Sequence, residues 1–113
     1  MKKFKYDIDI YKQSVIFCFD IETFNDLTGG DRTNIAGGCG YHFNSIFDIV
    51  VYVGVVDGSI PVPVIAHECF HAMERIMQNS GVKYVEEINN ESFAYLLELL
   101  TGKCLLAWSR YNK

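Results

Sequence analysis

A chain of 113 residues, half of them hydrophobic and 21% charged, has the size and composition of one folded domain spanning 1–113, which excludes global disorder. Its net charge of −4 argues against a nucleic-acid partner, and its longest apolar run, residues 49–56, is far short of the roughly 18–20 residues of a membrane span. The basic start Met1-Lys2-Lys3-Phe4-Lys5 leads into no signal-peptide core, because Asp7 and Asp9 interrupt it, so the expected location is the cytoplasm.

Residues 4–11 alternate, with Phe4, Tyr6, Ile8 and Ile10 on one face and Lys5, Asp7, Asp9 and Tyr11 on the other, which predicts a strand with one dry face. Lys12-Gln13-Ser14 serves as a turn, and the continuous apolar run 15–19 predicts a more central strand, so the first two elements read as an antiparallel hairpin. Residues 20–27 predict a short helix capped by Asp20. The stretch 28–40 carries Gly29, Gly30, Gly37, Gly38 and Gly40 and reads as a mobile surface loop whose last part, with Tyr41-His42-Phe43, forms a short edge strand. It is a poor phosphate loop, since no Walker lysine follows. Residues 46–56 predict a further strand, ending at Asp57-Gly58.

From Ser59 the period changes. Pro61 and Pro63 suit a helix entrance and Asn79-Ser80-Gly81 a helix stop, which predicts a helix over 61–79. A second helix is expected from 90 to 108 or 109, entered through Asn89-Asn90, with Gly102 as a point of bending or splitting. Cys18, Cys39, Cys69 and Cys104 form no CxxC pair and read as reduced, mostly buried thiols. The fold class is α+β: a small, mostly antiparallel sheet of about four strands packed on the 61–79 helix, with the C-terminal helix alongside.

That first long helix carries His67-Glu68-Cys69-Phe70-His71, an HExxH motif. Positions four apart lie one turn apart on one face, so two imidazoles can reach the same ion, while Glu68 is rotated off the ligand line and can address a water on that ion. On a helical wheel Ile65, Ala66, Cys69, Phe70, Ala72, Met73, Ile76 and Met77 form the apolar arc, and His67, Glu68, His71, Glu74, Arg75 and Gln78 fall outside it. Zinc with three protein ligands and one open position would hold a water, for which Glu68 is the general base. The plain alternative is two surface histidines on an amphipathic helix.

The longer pattern HExxHxxGxxH fails, since its Gly position is Glu74 and its last His position is Met77, so the third ligand must come from elsewhere. Glu91, at the start of a helix expected to run antiparallel to the first, can face that helix's middle and is the first choice. Glu98 and His42 come next, and Glu86 and Glu87 are weaker. Glu91 also fits as a first-turn carboxylate of its helix. Tyr95, one turn beyond Glu91, could stabilise an oxyanion or simply pack between the helices, with Tyr41 and His42 as comparable donors. Glu74 could support His71 from behind.

The motif at 67–71, followed by Asn90-Glu91-Ser92-Phe93-Ala94-Tyr95, resembles the gluzincin type of zincin metallopeptidase, and in particular the very short metallopeptidases of bacteriophage and bacterial genomes. The resemblance covers residues 64–97. It implies a minimal zincin-like fold, a Zn2+ cofactor held by His67, His71 and Glu91, Glu68 as catalytic base, and a peptide or protein as substrate. The expected activity is hydrolysis of peptide bonds through a metal-bound water. The alternative is a non-catalytic zincin-like protein-binding module with a structural or vestigial metal site.

Overall fold

The structure is a computed structural model that describes residues 2–113. Four strands, β1 (Phe4–Ile8), β2 (Gln13–Cys18), β3 (Gly37–His42) and β4 (Ser45–Val53), combine with three helices, α1 (Ile21–Thr28), α2 (Val62–Asn79) and α3 (Asn90–Tyr111). The α+β class stands. The sheet order is β1-β2-β4-β3. β1 and β2 form the expected antiparallel hairpin, and β3 pairs antiparallel with β4. β2 and β4 run parallel, with Val15 opposite Ile49 and Phe17 opposite Val51, because α1 and β3 intervene between them in the chain.

Residues 15–18 of β2 and 49–53 of β4 are buried on both faces, which is why these parts of the sequence are continuous apolar runs and not alternating ones. Val15, Phe17, Ile49, Val51 and Val53 face α2 and α3, while Ile16, Cys18, Val50 and Tyr52 face Phe24 and Leu27 of α1. Each fully buried side chain of this size contributes about 1.5–3 kcal/mol from removal of apolar surface from water.

Asp20 caps α1 as its sequence position implies, accepting from the Thr23 amide at 2.8 Å. β1 is shorter than its alternation suggests: residues 9–11 leave the sheet as a single 3-10 turn. α3 is continuous through Gly102, so the helix does not split there; a Cβ at Gly102 would meet nothing within 4 Å. Asn89 does not cap α3 with its side chain. Its amide instead ties the preceding connection, accepting from Val85 N at 2.8 Å and donating to Lys83 O at 2.6 Å.

The glycine-rich stretch divides, as expected, into a connecting segment and an edge strand. Its last four residues belong to β3, which lies so close to α2 that a Cβ on Gly37 would stand 2.6 Å from Val64 Cγ1 and 3.0 Å from Glu68 Cγ. On the opposite face a Cβ on Gly38 would stand 2.9 Å from the Phe24 ring. The preceding segment is tied rather than loose: Asn25 donates to Arg32 O at 2.9 Å and accepts from Arg32 N at 3.0 Å. Among the described residues no helix is long and apolar enough to cross a membrane.

Candidate functional site

α2 starts at a proline-flanked turn, with Pro63 inside its first turn, and lays one side on β3 and β4 and another on α3. This two-sided packing decides what the motif residues face. His67 and His71 lie along the helix edge left uncovered, His67 exposed and His71 half-buried. Their Nε2 atoms are 3.1 Å apart and their rings are nearly perpendicular, at 79°. Two nitrogens each about 2.0–2.1 Å from one tetrahedral zinc stand about 3.3 Å apart, so this spacing fits two corners of such a site. One Nε2–H donates to the other ring.

Behind His71, Nδ1 donates to Glu74 Oε1 at 3.3 Å. That contact favours the tautomer whose Nε2 carries a lone pair toward His67, the arrangement a metal-binding imidazole needs. Glu74 thus occupies the supporting position its spacing allows.

Glu68 departs from the wheel. It is only 7% exposed, with its carboxyl lying in the space left by the missing side chain of Gly37. A wheel that assumes one packed arc misses this, because α2 has β3 on one side as well as α3 on the other. Burial pushes the Glu68 pKa above its ordinary value, while the charges of His67, His71, Arg75 and Arg32 pull in the opposite direction. A carboxylate with raised basicity beside two imidazoles is suited to accept a proton from water.

Arg75 is a participant that the sequence reading passed over. Its guanidinium stacks 5.1 Å from the Tyr41 ring centroid and touches the Cys39 thiol, and its Nη1 is buried without a hydrogen-bond partner. Arg75 is seven residues beyond Glu68, the spacing that returns to the same helix face, and that was its available signal. Burial pushes the Cys39 thiol up to about 12 despite the nearby guanidinium. Tyr41 is therefore engaged with Arg75, while His42 stacks on Phe43 and accepts from the Asn44 amide through Nδ1.

On the other side α3 runs antiparallel to α2. Cys104 and Thr101 lie against Cys69, whereas residues 91–97 meet the later residues Phe70, Met73 and Glu74. Between the start of α3 and the middle of α2 lies a cavity of about 580 Å³, largely apolar, to which Glu74 and Glu91 contribute carboxylates and Tyr84 a ring. Glu91 faces the middle of α2, as its position implies. It is not gathered with the two imidazoles, however: among the described residues no group of three or more His, Cys, Asp or Glu is close enough to hold a metal ion. The residues thus bring two imidazoles together, while Glu91 stands apart at the cavity wall.

Tyr95 is placed elsewhere. It is 66% exposed and lines an outer groove of α3 with Glu98, Leu99 and Lys103, so it neither packs between the helices nor reaches toward the imidazoles. Glu98 shares that outer groove. Glu86 and Glu87 lie exposed in the connection between α2 and α3. Compared with protein-family models, with curated proteins and with solved structures, the chain shows no significant match.

Proposed function

We propose that this chain is a zinc-dependent metallopeptidase of minimal zincin-like design, with His67 and His71 as ligands, Glu91 as the third ligand and Glu68 as the base. The observation that carries the reading is the pair of Nε2 atoms at 3.1 Å beside a buried carboxylate. Zinc, when bound, supplies Lewis acidity for a scissile carbonyl and acidifies water. Glu68 would take the proton from the attacking water and return it to the leaving amine, and its burial shifts its basicity in the direction that role needs. Glu74 orients His71 through Nδ1.

A peptide is the substrate class that the neighbourhood favours. Among the described residues β3 pairs only with β4, so its outer edge has free backbone donors and acceptors. Gly37 puts the start of that edge against Glu68, where an extended peptide adding to the sheet would present its backbone. The four free cysteines agree with a reducing compartment such as the cytoplasm.

The test combines metal analysis with cleavage of a quenched-fluorescence peptide library. The expected result is about one zinc per chain and metal-dependent cleavage. Glu68→Gln should retain zinc and lose cleavage, and His71→Ala should lose both. Full cleavage by Glu68→Gln would refute the mechanism.

The separation of Glu91 from the imidazoles favours a second reading, a non-catalytic zincin-like module that binds a protein partner. Zinc held with a protein side chain in every coordination position, and no cleavage of any library member, would select it.

A further inference from the structure

α3 is apolar on more sides than its own chain covers. Its inward face buries Phe93, Leu96, Leu100, Cys104 and Ala107. A second stripe, Tyr95, Leu99, Gly102 and Leu106, points outward, with Tyr95 at 66%, Leu99 at 41% and Leu106 at 47% exposure. These positions recur at i, i+4, i+7 and i+11, alternating steps of four and three, which is the seam of a two-stranded coiled coil. Gly102 leaves its part of the seam open, with nothing within 4 Å of the place a Cβ would take. Ile10, 82% exposed, borders the same stripe beside Tyr95 and Leu99.

The charges beside the seam indicate what covers it. With Leu99 and Leu106 at the a positions and Tyr95 and Gly102 at d, Glu98 is a g residue and Lys103 the following e residue. In two parallel helices a g side chain meets the e side chain five residues later on its partner, so Glu98 of each copy would meet Lys103 of the other. Neither residue has an ion-pair partner in its own chain among the described residues; the Lys103 ammonium lies 5.3 Å from the Tyr6 ring centroid instead. A two-fold axis along α3 satisfies both charges twice and lays the stripe on itself. An antiparallel pairing sets g against g and e against e, leaving Glu98 and Lys103 unmatched.

We propose that α3 is a homodimerisation helix, pairing in parallel with α3 of a second copy through Tyr95, Leu99, Gly102 and Leu106, with reciprocal Glu98–Lys103 ion pairs setting the register. The helix is already ordered on its own sheet, so association does not bear the ordering entropy of a free coiled-coil peptide. This inference is independent of the metal site.

Sedimentation equilibrium on the full chain, from about 1 to 200 μM, provides the test. Wild type should show a monomer–dimer equilibrium, and Leu99→Glu should be monomeric throughout with an unchanged helical circular-dichroism signal. Glu98→Lys and Lys103→Glu should each weaken association by about tenfold, and the double reversal should restore it. Because Glu98 is exposed and Lys103 half-exposed, these variants stay informative even if Leu99→Glu fails to fold. A chain that remains monomeric at the highest concentration overturns the proposal, as does a dimer indifferent to Leu99→Glu or one that the double reversal fails to restore. A monomer that captures a different protein through this stripe also overturns it.

Discussion

The two sides of α2 are built differently. Toward β3 the helix is in close contact: Gly37 leaves room for Glu68 and Val64, and Arg75 closes over Tyr41 and Cys39. Toward the start of α3 it is open, with a cavity of about 580 Å³ between Phe70, Met73 and Glu74 on one wall and Glu91, Ala94 and Leu97 on the other. The proposed base therefore belongs to the closely packed side and the proposed third ligand to the open side. Perturbations on the first side should register in folding, and those on the second in metal affinity.

The largest effect is expected where contact is closest. Gly37→Val drives a side chain into Val64 and Glu68, whose atoms already stand 2.6 and 3.0 Å from an ideal Cβ. Overpacking of this kind costs about 1–3 kcal/mol, and here the upper end is expected because the obstruction begins at the first side-chain atom. Urea unfolding should show the midpoint falling with an unchanged m-value. A neutral Gly37→Val would mean that β3 and α2 are not pressed together.

On the open side the discriminating experiment is zinc affinity by competition with a chelator. Glu91→Gln should weaken binding by about 100-fold and leave the folding midpoint within about 0.5 kcal/mol of wild type, since the residue is exposed. Glu98→Gln, on the outer groove, should leave zinc affinity unchanged. Equal affinities for wild type and Glu91→Gln would remove Glu91 from the site and leave the cavity to another role.

Between these two in position, and smaller in effect, is Glu74. It lines the cavity and also accepts a hydrogen bond from His71 Nδ1 at 3.3 Å. Loss of such a supporting carboxylate typically costs 10–100-fold in metal affinity, and the long contact here puts Glu74→Ala at about tenfold. An unchanged affinity would show that the His71 ring is held by α2 alone.

What the sequence disclosed follows the same division. The HExxH helix, the α1 cap and the two central strands are local signals: a four-residue spacing, an Asp before an apolar period, two uninterrupted apolar runs. The parallel pairing of β2 with β4 is not local, since α1 and β3 separate the strands and nothing in either run reports its neighbour. The glycines at 37 and 38 carry two meanings, since glycine marks both turns and close approaches, and only the position of α2 and α1 against β3 distinguishes them. Phe70 falls on the apolar arc yet is 46% exposed, since it looks into the cavity rather than the sheet. Glu68 shows the reverse: polar by type and outside the apolar arc, it is buried because a helix clasped from two sides has two inward faces.

The smallest expected effect tests that burial directly. Removal from water raises the Glu68 pKa above its ordinary 4.5, and the positive groups around it only partly offset this. A carboxyl that holds its proton more tightly when folded favours the native state while protonated. That contribution is complete below the unfolded pKa and is lost as pH rises through the higher, folded value. Glutamine keeps the shape and cannot ionise. In metal-free protein Glu68→Gln should therefore unfold at higher urea than wild type at pH 7, with the gap narrowing as pH falls toward 4. A gap of opposite sign, widening with pH, would mean that His67, His71 and Arg75 outweigh burial, and that Glu68 sits in an ion-pair network and not in the pocket that Gly37 leaves for it.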